Sequence, residues 1–421
     1  MRGSITLLMV ASILWLGSAV PAAGDTFRTT RLNDPSAAKC TPVNCSLRGA
    51  ISAANRHAGP DKVLVGKGTF ELTLPETPQN DNAGGDLDVK GAVRIVGKGS
   101  SLTTVDANGG SRVFSLLKDP RKILKRMNIT GGNAELGGGI FVGPPASDFS
   151  PAEHKLKSLV IQGNVATLHG GGIYATLQRM LLSRTTVTGN SAANGGGGMY
   201  LGPAAELGAA TPPVRIQSST FSGNTAAIGA GLYLDGANSK DAVFDPRASM
   251  LNSTFALNIA TVSGGGISSI LGAFLGAEHT TVAYNSADSD SSGGGNGGGI
   301  YQSTGATLRL EWSLVKENTV GSSGGGPQCA GAIKFIGVIT PQGTPGLCTF
   351  EPGSVIQGEV APNIGTLTNN GGPTQTVEIL QNSLANGWRD DNFCPAKDQR
   401  GEPRPLNECD IGAYERPFAS P

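Results

Sequence analysis

Charged residues are scarce in this sequence, and their signs cancel. Lysine, arginine, aspartate and glutamate make up 15% of the 421 residues, and 32 basic residues are balanced by 32 acidic ones. Globular proteins usually devote about a quarter of their residues to these four types. A chain without net charge has no overall electrostatic attraction to nucleic acids or anionic membranes. We therefore expect no nucleic-acid partner.

Metal-binding patterns of histidine and cysteine are also scarce. The chain has four histidines and six cysteines, and no two cysteines show the C-x2-C spacing of a zinc finger. The cysteines lie in pairs that are close in sequence, which predicts three local disulfides among the fifteen connectivities that six cysteines allow. The pairs are Cys40 with Cys45, Cys329 with Cys348, and Cys394 with Cys409. Such a set is typical of an oxidising compartment.

The N-terminus carries the one long apolar run. Arg2 precedes an apolar stretch that ends at Val20, and small residues follow up to Ala23. This order is typical of a secretory signal peptide, so residues 1–23 are predicted to be removed and the protein to be secreted, at the cell surface or outside the cell. The stretch is shorter than the ~20 residues of a membrane span. No later segment resembles a transmembrane helix.

Glycine, by contrast, is abundant, and much of it belongs to a repeated motif. Glycine accounts for 63 of the 421 residues, about twice the usual share. The stretch GNVATLHGGGIY, from Gly163 to Tyr174, combines an asparagine, a short polar segment, a glycine triplet and an apolar pair. Variants recur at intervals of roughly 30 residues, a spacing that indicates stacked structural units. The repeated asparagines are Asn133, Asn164, Asn190, Asn224, Asn258, Asn285 and Asn318.

The segments between these motifs predict an all-β protein, a right-handed single-stranded parallel β-helix. Apolar runs of strand length lie between the motifs, for example 156–161 and 214–221, without a sustained helical period. Helical repeats are therefore excluded, and the tryptophan landmarks of propeller blades are missing. We expect about ten to twelve coils, whose strands pair with the strands of the coils above and below.

The repeated residues have structural explanations in such a fold. Stacked asparagines can form a ladder of amides at a turn, and glycines permit positive φ and close approach of neighbouring coils. The apolar residues three positions before each asparagine and directly after the glycines are predicted to point inward, as for Ile161 and Ile173. His169 is the residue of the opening motif that other copies do not share, so it is a candidate for a specific function.

Three stretches resemble known bacterial families. The combination of GG[AG][ILMY] with [FVI]xxN, over residues 125–327, resembles the repeat of chlamydial polymorphic outer-membrane proteins and related surface proteins. CSLRGAISAANRHA, from Cys45, resembles the CSLREA motif of secreted β-helix proteins. LTNNGGPTQTVEIL from Leu367 and CDIGAYE from Cys409 resemble the choice-of-anchor Q module. These resemblances imply a surface or outer-membrane location.

The CSLREA-like stretch also predicts a short helix that caps the first coil. Ser46 is a suitable N-cap residue, but Gly49 stands where the family motif has a glutamate, which removes one half of a capping box. The apolar residues recur at helical spacing: Leu47, Ala50, Ile51 and Ala54. We therefore divide the chain into the signal peptide (1–23), an N-terminal cap with this helix (24–60), β-helix repeats (61–366) and a C-terminal choice-of-anchor Q-like module that closes the β-helix (367–421).

Two acidic loops are candidates for calcium, the one cofactor that we consider. Calcium prefers oxygen ligands, and the alternative is that both loops are solvated turns. The first loop is NDNAGGDLD and the second is rich in serine and glycine; their acidic residues are Asp81, Asp86, Asp88, Asp288 and Asp290.

The segment KDPRKILKR forms the strongest local charge cluster. It has no interleaved aromatic residues, which argues against a nucleic-acid groove. Contact with an anionic glycan or lipid is one interpretation, and a solvated coil face is the other. Its basic residues are Lys118, Arg121, Lys122, Lys125 and Arg126.

The sequence alone identifies no catalytic residue. We expect a monomeric, non-catalytic surface or matrix protein that acts in adhesion or contacts a polysaccharide or cell-surface glycan. The alternative is a polysaccharide lyase or glycoside hydrolase, because β-helix enzymes of both kinds exist and a fold does not decide an activity.

Overall fold

The structure, a computed structural model, describes most of the chain beyond the predicted signal peptide. The described residues are 23–36, 39–77, 81–117, 120–143, 153–176, 179–202, 214–236, 247–322, 324–339, 347–350, 355–357, 363–387, 394–405 and 408–417. Residues 1–22 of the predicted signal peptide and Lys118 of the basic cluster lie outside them. Among the described residues, no helix is long and apolar enough to cross a bilayer.

The chain folds into a right-handed parallel β-helix, as its repeats predict. Each full coil contributes one strand to each of four stacks, and every strand in a stack pairs in parallel with its equivalents in the coils above and below. Because sheet neighbours come from successive coils, the side chain at a given position of one coil lies directly over the same position of the next.

The first and second stacks hold consecutive strands of each coil. The strands of the first stack are Thr26–Arg28, Asp61–Leu64, Val93–Val96, Ile123–Lys125, His154–Lys157, Met180–Ser183, Val214–Gln217, Arg247–Leu251, Phe274–Glu278 and Thr307–Glu311. Those of the second stack are Gly68–Glu71, Thr103–Asp106, Asn128–Thr130, Val160–Gln162, Thr186–Thr188, Thr220–Ser222, Thr254–Ala256, Thr281–Ala283 and Leu314–Lys316.

The third and fourth stacks complete each coil. The strands of the third stack are Asn133–Leu136, Val165–His169, Ser191–Ala192, Thr225–Ile228, Ile259–Ser263, Ser286–Ala287 and Thr319–Val320. Those of the fourth are Leu87–Val89, Phe114–Leu116, Ile140–Val142, Ile173–Thr176, Met199–Gly202, Leu232–Asp235, Ile267–Ile270 and Ile300–Gln302. The long strand Cys329–Ile339 then continues several stacks, and Leu347–Phe350 and Val355–Gln357 pair with it.

The core is a continuous column of apolar side chains inside the coils. Alternate residues of each strand point inward, and the residues predicted to do so from the repeat are buried, among them Ile161 and Ile173, both 0% exposed. Phe221 stacks on Phe255 of the next coil, with ring centroids 4.6 Å apart. Inward residues thus pack within a coil and along the axis of the β-helix.

The predicted capping helix spans Leu47–Arg56, and its apolar stripe is buried against the first strands. The Ser46 side chain accepts a hydrogen bond from the Gly49 backbone N–H at 3.1 Å, so the serine half of the cap is present. A feature that the sequence did not reveal is Arg48, which is 1% exposed. Its guanidinium donates to the Asp34 carboxylate and to three backbone carbonyls, which ties the helix to the acidic loop.

The three predicted disulfides are confirmed. The structure links Cys40 with Cys45, Cys329 with Cys348, and Cys394 with Cys409. The first joins a short hairpin, Cys40–Thr41 and Asn44–Cys45, just before the capping helix. Three disulfides fit an oxidising, extracellular environment.

The repeated asparagines form a buried ladder at the turn between the second and third stacks. In each rung, the side-chain oxygen of one asparagine accepts hydrogen bonds from the backbone N–H and the side-chain amide of the asparagine one coil earlier. Asn190 and Asn224 are linked in this way at 3.0 Å for both bonds. Each side-chain amide also donates to a backbone carbonyl of the preceding coil, such as Val187 for Asn224. The ladder contains Asn164, Asn190, Asn224, Asn258, Asn285 and Asn318, and Gln328 accepts the last bonds.

Asn133 is not part of this ladder, so its assignment from sequence is wrong by one residue. Gly132 occupies the ladder position, because its N–H donates to the Asn164 side-chain oxygen at 2.9 Å. Asn133 pairs instead with Val165, the residue after the ladder position, and is exposed. The extra glycine in ITGGN shifts the asparagine past the turn.

The glycines of the repeat make room for the ladder. A Cβ at Gly198 would lie 2.5 Å from the Gly231 carbonyl oxygen and 3.0 Å from the Asn224 side-chain nitrogen. Positive φ occurs at the residue just before each asparagine, not at the asparagine itself: Gly223 has φ 60° and Leu257 has φ 61° at the same place in consecutive coils. A leucine in this conformation is strained.

The described part of the C-terminal module lies along the side of the β-helix. A hairpin of Ile364–Thr368 and Thr376–Ile379 and the segments after it pack on the outward side of the second stack. The Gln399 amide donates to Thr220 Oγ1 at 2.8 Å, and the Ala413 N–H donates to Thr281 Oγ1 at 3.0 Å. The sequence predicts that this module closes the β-helix, but its described contacts are lateral and span several coils.

We predict that Asn224→Ala lowers the free energy of unfolding by about 3 kcal/mol or more, because it leaves the buried backbone N–H and side-chain amide of Asn190 without their acceptor and removes the donor to Val187 and Asn258. Asn133→Ala is the matched control and should change it by less than about 0.5 kcal/mol. Thermal unfolding followed by circular dichroism compares the two variants. Equal losses would contradict the placement of Asn133 outside the ladder.

Leu257→Gly should stabilise the protein by about 0.5–1 kcal/mol, since it relieves a positive φ at an exposed position. The reciprocal change, Gly223→Leu, should destabilise it by about 1 kcal/mol, although a Cβ there has no heavy atom closer than 4.0 Å. Urea unfolding midpoints measure both changes. A loss of stability in Leu257→Gly would mean that its side-chain contacts outweigh the backbone strain.

Candidate functional site

The basic cluster predicted from one segment is only partly a surface feature. Arg121 and Arg126 are exposed and Lys125 is half-buried. Lys122 is 0% exposed, and its ammonium donates to the Pro120 carbonyl at 2.8 Å. Its assignment to a surface patch is therefore wrong, because alternation along the chain turns it away from solvent.

A larger basic surface arises from the register between coils. Lys62, Arg94 and Lys155 belong to one outward column of the first stack, and Lys125 and Lys157 belong to the next column. Arg215 continues the first column. We call these six residues the basic face: Lys62, Arg94, Lys125, Lys155, Lys157 and Arg215.

The charges of the basic face are only partly neutralised. Partial burial lowers the pKa of Lys125, and the nearby cations Arg94, Lys157 and Lys155 lower it further. Glu153 pairs with Lys155 at 3.2 Å and with Arg215. Among the described residues, no acidic side chain pairs with the remaining four cations. Their mutual repulsion produces a positive potential that an anionic ligand would relieve.

The basic face occupies only the N-terminal part of the first stack. Towards the C-terminus, the first column continues with Ser249, Gly276, Arg309 and Lys334, and Arg309 pairs with Glu311. The second column reaches Glu278 and Glu311, which lie side by side in register. Burial and the Glu311 charge raise the pKa of Glu278. In these two columns, acidic side chains therefore join the cations towards the C-terminus.

An open cleft lies at the N-terminal end of the basic face. Its volume is about 470 Å³, within the range of small-ligand sites. The lining residues are Pro60, Asp61, Lys62, Ala92, Val93, Arg94, Pro120, Arg121 and Ile123. Three cations from successive coils, Lys62, Arg94 and Arg121, therefore line the cleft, whereas the Asp61 side chain is fully buried.

His154 lies beneath the basic face and is 1% exposed. Its Nδ1 accepts a hydrogen bond from the Lys122 backbone N–H at 3.1 Å, which requires a neutral ring nitrogen. Burial, followed by the charges of Lys122 and Arg121, lowers the pKa of His154 to about 4.

The sequence did not reveal an aromatic stack on the outward side of the fourth stack. Phe141 and Tyr174 stack with centroids 5.5 Å apart, and Tyr174 and Tyr200 stack at 4.9 Å. The Arg112 guanidinium lies 4.8 Å from the centroid of Phe141 and covers one end. Tyr233 extends the stack with an edge contact to Tyr200. The signal is present in the sequence as an aromatic residue after the inward apolar residue in four consecutive coils.

This stack is a structural element and not a sugar-binding platform. The parallel rings use their faces to contact each other, and Tyr200 and Tyr233 are 5% and 6% exposed. Tyr200 donates to Asp235 at 2.7 Å; burial and then this carboxylate raise its pKa. His169 packs against Tyr200 with centroids 4.5 Å apart, and burial lowers its pKa. A sugar ring has no free aromatic face to stack on here.

The first acidic loop is organised by internal hydrogen bonds. Asp81 accepts from the Ala83 N–H in an exposed turn, while the Asp86 carboxylate accepts from Arg112 at 2.9 Å. Asp88 is 1% exposed, and burial together with the Asp86 charge raises its pKa to about 6. The structure thus brings Asp86 and Asp88 together and places Asp81 in a separate turn.

The second acidic loop is a turn as well. Asp288 is buried and accepts from the Gly293 N–H at 3.1 Å, and Asp290 is exposed and accepts from the Ser292 N–H at 3.2 Å. Across the described residues, no three side chains of histidine, cysteine, aspartate or glutamate form a group that could hold a metal ion. Calcium binding at either loop stays a prediction.

Comparison with known protein families finds no match, and comparison with curated proteins finds none either. Among solved structures, the chain is similar to pectate lyase Pel9A, with 12% sequence identity, a TM-score of 0.47, and coverage of 94% of this chain and 97% of that one. It is also similar to the A-module of the mannuronan C-5 epimerase AlgE6 of Azotobacter vinelandii, with 13% identity, a TM-score of 0.39, and coverage of 75% and 95%.

We predict that acid destabilises the protein through His154. Its folded-state pKa lies below the ordinary value of 6.5, so the unfolded state binds the proton more tightly and stability falls as the pH drops from about 6.5 towards 4. The loss should reach about 3 kcal/mol. His154→Asn, which keeps an acceptor near the Nδ1 position, should flatten this dependence. Melting temperatures of both proteins between pH 4 and 7 measure it, and parallel curves would contradict the assignment.

Proposed function

We propose that the protein binds an anionic polysaccharide along the basic face. The observation that supports this proposal is the register of the first stack, which aligns cations from successive coils although they are far apart in sequence. Side chains in register recur about every 4.8 Å along the axis of the β-helix. Such a row of charges favours a linear ligand that carries charges at regular intervals.

The arrangement favours a polymer over a small anion. The cations of the basic face come from coils that run from Lys62 to Arg215, and the surface is open and elongated. A polymer can engage several cations at once, so that weak contacts act together through a high effective concentration. A single small anion would contact two or three cations and gain only a weak, screened attraction.

The proposed role is adhesion to, or retention on, an acidic glycan by a secreted surface or matrix protein. The three disulfides support an extracellular setting. We propose binding without cleavage, with a polysaccharide lyase or glycoside hydrolase as the alternative to be tested.

Neutralising two central cations should weaken binding to polygalacturonate about tenfold, because each exposed ion pair contributes up to about 1 kcal/mol. The test variant is Lys125→Gln with Lys157→Gln. The matched control is Lys67→Gln with Lys397→Gln, two exposed lysines that do not belong to the basic face. Biolayer interferometry at low and high salt measures the affinities.

Neutral dextran should not bind, and the affinity for polygalacturonate should fall with salt. Equal binding by the test and control variants would reject the basic face as the binding surface. New reducing ends or unsaturated products, after incubation with polygalacturonate, would replace the binding proposal with an enzymatic one.

A further inference from the structure

The unpaired cations of the basic face change column along the axis of the β-helix. Lys62 and Arg94 lie in register in the first column of their coils. In the next two coils, the unpaired cations are Lys125 and Lys157, which lie in register in the second column. The unpaired positive charge therefore moves sideways across the first stack as it advances from coil to coil.

Arg184 continues this sideways shift in the following coil. Ser183 occupies the second column there, in register with Lys157, and Arg184 is the next residue. Strict alternation would turn the side chain of Arg184 into the core, but its positive φ of 51° breaks the alternation and the residue is exposed. No ion pair involves Arg184 within the described part of the chain. The cation of this coil therefore lies one residue beyond the second column.

The turn between the first and second stacks fixes the backbone position of Arg184. The equivalent residues of the two preceding coils have the same conformation, with φ 54° at Ser158 and 60° at Arg126. The Arg184 N–H donates to the Gln217 carbonyl of the next coil at 3.1 Å, which keeps this turn in register. The Arg126 guanidinium is bound to the Lys98 carbonyl at 2.8 Å. Among these turn residues, Arg184 therefore presents a guanidinium that is not already engaged.

The two remaining cations of the basic face are already neutralised. Lys155 and Arg215 belong to the first column, and both pair with the Glu153 carboxylate. A carboxylate placed between two cations reduces the positive potential that a polyanion meets there. The first column beyond Arg94 is therefore less favourable for an anionic polymer than the line that leads to Arg184.

Five unpaired cations from five successive coils thus form one oblique line. This line advances about 19 Å along the axis and about 10 Å across the strands, because coils lie about 4.8 Å apart and strand residues about 3.3 Å apart. A linear polymer can follow it without bending and contact one cation in each coil. In order, the cations are Lys62, Arg94, Lys125, Lys157 and Arg184.

We propose that the anionic polysaccharide crosses the first stack obliquely along this line, and that Arg184 determines where it leaves the basic face. This inference rests on the proposed function and adds to it the path of the polymer and a cation outside the two columns. On this path, Arg215 makes no contact with the polymer, although it belongs to the basic face.

The test compares Arg184→Gln with Arg215→Gln, because each variant removes one positive charge from an exposed arginine. Arg184→Gln should weaken binding to polygalacturonate about fivefold at low salt, the effect of one exposed ion pair. Arg215→Gln should change the affinity less than about twofold. Arg184→Lys keeps the charge and should also stay within about twofold of the wild type. Biolayer interferometry measures the affinities, and thermal unfolding shows that each variant is folded.

The outcomes separate the path from the proposed function. Equal weakening by Arg184→Gln and Arg215→Gln would mean that only the net charge matters, which overturns the oblique path while the proposed function stands. A larger loss in Arg215→Gln would place the polymer along the first column and also overturn the path, as would unchanged binding in Arg184→Gln. If the wild-type protein does not bind polygalacturonate, the proposed function itself fails.

Discussion

The hydrogen bonding of each coil to the next in fixed register is the constraint on which the other features of this protein depend. The asparagine ladder sets that register at one turn, because each side-chain amide bonds the coils on both sides of it. Loops between the stacks vary in length, yet each coil from Asn164 to Asn318 returns to the same asparagine position. The ladder therefore lets the coils differ in sequence without losing their alignment.

In this fold, the chemistry of the surface depends on which residues of successive coils lie in register, and not on which residues are adjacent in sequence. Lys62 and Lys155 are far apart in the chain, yet both belong to one column through Arg94 and Ile123. The same alignment stacks Tyr174 on Tyr200, where it produces a packed aromatic element instead of a binding surface. The same alignment in register thus produces an exposed, charged surface on the first stack and a closely packed aromatic surface on the fourth stack.

The sequence was sufficient to predict the fold, the inward residues, the capping helix and the disulfides, because these follow from local periodicity and spacing. It does not suffice for features that depend on the pairing register between coils. A single extra glycine displaces Asn133 from the ladder position, and Lys122 is buried although its basic neighbours in the sequence face solvent. The basic face and the cleft join residues of different coils, and the loops between them have no fixed length. Which residues of these coils align therefore cannot be inferred from the sequence alone.

The lateral C-terminal segment has a mechanical consequence. Its bonds to Thr220, Thr254 and Thr281 tie it to three successive strands of the second stack. A solenoid without such a segment can unwind one coil at a time from its end, because each coil contacts only its neighbours. Here a force that pulls on the C-terminus loads several coils together, and the segment must peel away before any of them can unwind. The protein would therefore resist tension cooperatively, with several coils released together and not one at a time.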